Sequence, residues 1–197
     1  MNKLEPTYLR YVYDSLQKGV LSGENASGLP YGFIGIYEQE FQSSTPIYLR
    51  QERLGQLALW ALFKGAVSTN MVSSILGISE ESTKELIATY SSWFNSPDSG
   101  KYQLYHERLR VYLLQKLKED ELQLLNERLI TYLAQAIKAK KEDESEHYAL
   151  QNMAFHLALE SKLGNQYERL HAFVNREVVW QRQIQLSKDY AWSQAAL

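Results

Sequence analysis

Four histidines, His106, His147, His156 and His171, are the side chains of this chain best suited by type to proton transfer or metal ligation. Their spacing argues against metal ligation. His147 and His156 stand nine residues apart, which does not put two rings one turn apart on a helix as a metal pair requires. Each histidine is therefore read as buried or capping. Carboxylates are more numerous, but Glu121, Glu127 and the group from Glu142 to Glu146 lie in helical stretches with no Ser, His or Cys constellation around them. They read as solvated faces. Cysteine is absent, which removes disulfides, thiolate metal sites and thiol nucleophiles. Neither the GxxxxGKS/T nor the GxGxxG loop occurs, so no nucleotide is expected to bind the isolated chain in either standard way.

The elements that must carry these residues have ordinary globular composition. The 197 residues are 45% hydrophobic and 22% charged, with a net charge of −2. That balance disfavours a generic polyanion binder, because phosphate contacts need a surplus of Lys and Arg on one face. No apolar run approaches the ~20 residues of a membrane span, and MNKLEPTYLRYV lacks the apolar core of a signal peptide. The expectation is a soluble, cytoplasmic chain with no membrane role.

The central stretch, Gln51 to Leu114, predicts a winged helix. Leu54, Leu57, Ala58, Ala61 and Leu62 fall at helical spacing and should bury one face, with Gly65 as the stop. Ser68 can cap a second helix that Gly77 ends in the left-handed conformation. Ser79 can cap a third, running from Glu80 to Phe94, with Leu86, Ile87, Tyr90 and Trp93 on its buried side. Trp93-Phe94 and Tyr102 to Tyr105 then bracket Pro97-Asp98-Ser99-Gly100, a hairpin signal.

Before this module, residues 6–18 and 31–41 read as two short helices joined by a loop from Val20 to Pro30 and followed by the polar connector Gln42 to Pro46. They cannot bury their faces alone. After it come apolar-periodic helices over 107–117, 120–137, 147–161 and 166–174, and from Val178 to the end. The charge run KAKKEDESE at 138–146 reads as a solvated helix end and loop. The final Gln194 to Leu197 has no helix stop, which suggests a piece of a longer helical array. The fold class expected is mainly α: a winged helix (three helices plus a β-hairpin) flanked by helical hairpins. The expected domains are a helical remnant at 1–44, the winged helix at 45–118 and a helical, repeat-like tail at 119–197.

A winged helix raises DNA binding. Its third helix would carry Glu80, Glu81 and Glu85 against Lys84 alone, and the wing offers only Lys101. Carboxylates at the leading edge repel phosphates, so a nucleic-acid partner is disfavoured and a protein-packing use of the fold is preferred.

The order of segments resembles the C-terminal part of a STAND-class NTPase of the NACHT or apoptotic-ATPase type. EPTYLRYVYDSL is similar to the end of that family's nucleotide-binding module, with Pro6 matching a proline near the adenine, although Leu4 and Glu5 replace the glycine-led approach. LPYGFIGIYEQEF is similar to the next helix of the family's small domain. Tyr105-His106-Glu107 resembles the family's Met-His-Asp position after the wing, whose histidine reaches the β-phosphate of ADP; Tyr and Glu depart from the family's Met and Asp. A histidine at a helix N-terminus can donate to a phosphate, aided by the free amides and the dipole. The other reading of His106 is a plain helix cap. HYALQNMAFHLALESKLGNQYERLHAFV resembles the helical region after the winged domain.

The resemblance implies a non-catalytic segment of a cytoplasmic signalling ATPase. ADP or ATP would be held by an N-terminal module of the same chain, with help from His106 and Pro6, and by nothing in the isolated segment. The tail would meet protein partners, and activation could bring oligomerisation. The alternatives are a DNA-binding winged-helix regulator and a free-standing helical interaction adaptor.

Overall fold

The computed structural model describes Tyr13, residues 32–164 and residues 167–185. The helix predicted at 6–18 and the loop from Val20 to Pro30 fall outside these residues, apart from Tyr13. The described chain begins with α1 (Gly32–Ser44), α2 (Arg50–Leu62), β1 (Val67–Ser68), α3 (Thr69–Leu76) and α4 (Glu80–Thr89). It continues with β2 (Phe94–Asn95), β3 (Lys101–Leu104), α5 (Glu107–Lys116), α6 (Glu119–Ala139), α7 (Glu144–Gly164) and α8 (Glu168–Val174). A last helical stretch, α9, spans 177–185.

Strand β3 pairs antiparallel with both other strands, Val67 opposite Tyr102 and Phe94 opposite Leu104, giving the order β1-β3-β2. Helix, strand, two helices, strand and returning strand is the winged-helix order, within a chain that is mainly helical. The sequence reading lacks β1, because a two-residue strand is too short to display alternation.

Local chemistry sets the boundaries. Ser68 Oγ accepts from the Met71 N–H (3.2 Å), and Gly77 ends α3 at φ 70°. Ser79 Oγ accepts from the Ser82 N–H (3.1 Å) above the acidic first turn of α4. Helix α4 stops at Thr89, four residues short of Trp93. Tyr90 leaves the helical region, and the Trp93 N–H bonds to Tyr90 O (2.8 Å) in a 3₁₀ turn. This tighter turn brings Trp93 into the core while Phe94 enters β2.

Helix α1 is longer than the sequence suggests, absorbing Gln42 to Ser44 from the expected connector. The Arg50 guanidinium explains how: it donates to Gln42 O (3.1 Å) and Thr45 O (3.3 Å), matching carbonyls that a helix end leaves open. The buried Thr45 hydroxyl bonds to the Tyr90 hydroxyl. Tyr37 and Phe41 then pack on Trp93, Tyr90 and Tyr112, with ring centroids 5.7–6.5 Å apart. The Tyr112 hydroxyl donates to Glu38 Oε2 (3.0 Å), and Lys116 pairs with the same carboxylate. Burial pushes the Glu38 carboxyl up, but bonds from Lys116, Gln42 and Tyr112 outweigh it and hold the group below its usual range.

Helix α2 differs most from expectation. Instead of burying one face it buries every residue from Gln56 to Leu62, and Phe63 after it. Helix α5 covers one side while α3, α6 and β3 close the others. Helices α6 and α7 form the tail's hairpin, with Leu125, Leu129, Ile130 and Leu133 joining Ala149, Met153 and Leu157 in the same core as the winged module. The break between α5 and α6 falls at Leu117, which is extended (φ −81°, ψ 148°). The Lys118 N–H donates to Glu121 Oε2 (3.0 Å) to start the next helix.

Two glycines give opposite expectations. At each, an added Cβ meets nothing within 4 Å, so backbone conformation alone decides the sign. Gly55→Ala, inside α2, should raise stability by ~0.5–1 kcal/mol. Gly77→Ala, at φ 70°, should lower it by ~1 kcal/mol. Urea unfolding midpoints of the two variants should move in opposite directions.

Candidate functional site

Helix α5 begins where the wing ends, and His106 is its N-cap. The residue is extended (φ −137°, ψ 137°), and its Nδ1 accepts from the Arg108 N–H at 3.1 Å. A ring nitrogen that accepts carries no hydrogen, so a neutral imidazole bonded in this way holds its hydrogen on Nε2. The residue is half-buried, and Glu107 and Arg110 pair beside it (3.2 Å). The capping role therefore has a bond behind it. Pro6 lies outside the described residues.

The two surfaces that a winged helix would turn to DNA carry answered cations. On α4, Glu81, Lys84 and Glu85 are exposed. Lys84 pairs with Glu80 at 2.9 Å, and Glu80 also accepts from Thr69 Oγ1 (2.8 Å), bonds that hold its carboxyl below the usual range. On the wing, Lys101 pairs with Glu144 (3.6 Å), the first residue of α7. Glu144 Oε1 also accepts from the Ser68 N–H (3.0 Å), so one carboxylate touches two strands of the sheet.

That contact corrects the reading of 138–146 as a solvated run. Glu144 is half-buried, and Glu146 is fully buried. Glu146 Oε1 accepts from Arg182 Nε (3.0 Å), and its Oε2 accepts from the Glu142 N–H (2.7 Å). Burial pushes the Glu146 carboxyl up; bonds from Arg182 and the Glu142 amide outweigh it and hold the group down. The partner that makes burial possible is 36 residues away in the sequence, beyond the reach of a charge-run reading.

The histidines divide. His147 and His171 are exposed on helices, contrary to the buried-or-capping reading. His156 is fully buried, as that reading expects. Its Nε2 is bonded to the Tyr148 hydroxyl (3.0 Å), which also accepts from the Lys64 N–H (3.0 Å). Its backbone carbonyl accepts from Asn126 Nδ2 (3.0 Å). Burial pushes the His156 ring down to about 4, with the Lys64 cation adding to the effect. Sealed from solvent, this imidazole is a joint between α7, α6 and the end of α2, not an acid or base for a substrate. Among the described residues, no group of three or more His, Cys, Asp and Glu could hold a metal, and no helix is long and apolar enough to cross a membrane.

Comparison with protein-family models, with curated proteins and with solved structures gives no match for this chain.

The buried ring sets an acid response. Its folded value lies below the unfolded one, so the unfolded chain takes up the proton first as pH falls. Stability present above about pH 6.5 should be lost progressively toward pH 4, by up to ~3 kcal/mol. Urea unfolding at several pH values across that window should show the slope in the wild type and a flatter one in His156→Leu.

Proposed function

We propose that this chain is a non-catalytic regulatory segment of a STAND-type signalling ATPase, working in the cytoplasm. Its winged helix packs on a nucleotide-binding module rather than on nucleic acid. The observation that carries the reading is electrostatic. Lys84, on the face of α4 that would enter a major groove, is answered by Glu80 beside exposed Glu81 and Glu85, and the wing's Lys101 is answered by Glu144. Such a surface offers few counterions to release and is suited to meeting protein.

In this reading His106 holds the resting state. The cap at Arg108 fixes the ring through Nδ1, and the ring stands at the α5 N-terminus, where the helix amides and dipole favour an anion. The anion proposed is the β-phosphate of an ADP bound mainly by the upstream module, with Pro6 assigned to the adenine end of the same nucleotide. Exchange for ATP releases the winged module, and oligomerisation follows. The tail is the surface for protein partners; Val178, Trp180 and Ile184 of α9 are exposed there.

Two measurements test the reading. The purified chain should show no salt-dependent binding to duplex DNA at low ionic strength; such binding would favour a DNA regulator. In a chain that includes a nucleotide-binding module, His106→Asp keeps a capping acceptor but removes the donor. Thermal stability should hold while ADP retention falls. Unchanged nucleotide content in a folded His106→Asp protein would reduce His106 to a cap.

A further inference from the structure

The first turn of α7 touches four parts of the molecule with consecutive or nearly consecutive side chains. Glu144 reaches the wing through the Ser68 N–H (3.0 Å) and Lys101 (3.6 Å). Ser145 bonds to the Tyr132 hydroxyl of α6 (2.8 Å). Glu146 holds Arg182 of α9 (3.0 Å), and Tyr148 accepts from the Lys64 N–H beyond α2 (3.0 Å).

The turn that feeds this junction is strained. Lys140 and Glu142 both have positive φ, 51° and 56°, a region that side chains with a Cβ resist. What holds Glu142 there is visible. Its N–H donates to Glu146 Oε2 (2.7 Å), and its carboxylate takes Arg182 Nη2 (2.9 Å) while Arg182 Nε takes Glu146 Oε1. One guanidinium therefore clamps both the strained residue and the buried carboxylate, in the forked geometry that suits arginine. Without the clamp, Glu146 would be a buried charge that has lost its ion-pair partner Arg182, and the turn would lose part of what keeps it in the left-handed region.

We propose that the first turn of α7 couples the C-terminal helix to the wing: seating of Arg182 on Glu142 and Glu146 sets the turn, and the turn sets the grip of Glu144 on Ser68 and Lys101. A partner that lifts α9 thereby loosens the wing. The inference is independent of the nucleotide reading above, since it uses only contacts within this chain. The two-state element is the 140–143 turn, strained when clamped and relaxed when not, and both ends bias it.

Amide hydrogen exchange on the full chain tests it, in the wild type, Arg182→Gln, Glu144→Gln and the double variant, with Gln181→Ala as a control on the same helix. In Arg182→Gln the amides of Ser68 and residues 101–104 should exchange about ten-fold faster while those of α2 hold their protection. The double variant should exchange at the wing no faster than Glu144→Gln alone, because both substitutions break one linkage. Faster exchange confined to 177–185, with the wing at its wild-type rate, overturns the coupling, and so does full additivity. If Arg182→Gln exposes α2 as well, Glu142→Gln decides: it removes only the outer arm of the clamp, and a smaller acceleration at the wing supports the proposal while none refutes it.

Discussion

Helix α2 has no solvent face from Gln56 onward, and the rest of the molecule follows from that. A helix buried on all sides must find apolar cover in every direction, and a winged module alone supplies only part of it. Helices α3, α5 and α6 and strand β3 together supply that cover. The winged helix and the first tail hairpin consequently share one core rather than two cores in contact. Trp60 shows the scale of the requirement, lying 1% exposed between Phe63 and Phe94. Removing such cover from a large aromatic exposes surface whose transfer to water is among the larger single terms in a fold of this size.

Much of the winged module can be read from residues alone because its boundaries are local. Ser68, Gly77 and Ser79 act on backbone groups within four positions of themselves, so their roles are encoded where they stand. The turn cluster from Pro97 to Gly100 is equally local, and β3 follows it over Lys101–Leu104, one residue ahead of the Tyr102 to Tyr105 stretch that the pattern marks. What escapes a reading of the residues depends on partners far along the chain. The second burial face of α2 needs α6, and the inward turn of Trp93 needs Phe41. The burial of Glu146 needs Arg182. A charge run is judged by its neighbours in sequence, and here the decisive neighbour arrives only after folding.

His106 and Glu144 illustrate two uses of one physical resource, the unmatched amides at the start of a segment. His106 gives one ring nitrogen, as an acceptor, to the amide of Arg108. Glu144 gives its oxygen to the Ser68 amide and lies near Lys101, so the anion that a wing might have drawn from outside is supplied from within the chain. That internal supply, together with the exposed carboxylates of α4, is the ground on which the proposed preference for protein over a nucleic acid backbone rests.

The ties between α7 and the winged body have a consequence for synthesis. Lys64 waits for Tyr148 across 84 residues, and Ser68 waits for Glu144 across 76. At ordinary ribosomal speeds the Ser68 amide emerges roughly 4 to 15 s before the carboxylate that will accept from it. Lys101 follows Ser68 and still precedes Glu144 by 43 residues. For roughly the last 2 to 9 s of that interval the nascent wing therefore has an open sheet edge and an unanswered lysine, a period in which a chaperone has something to hold.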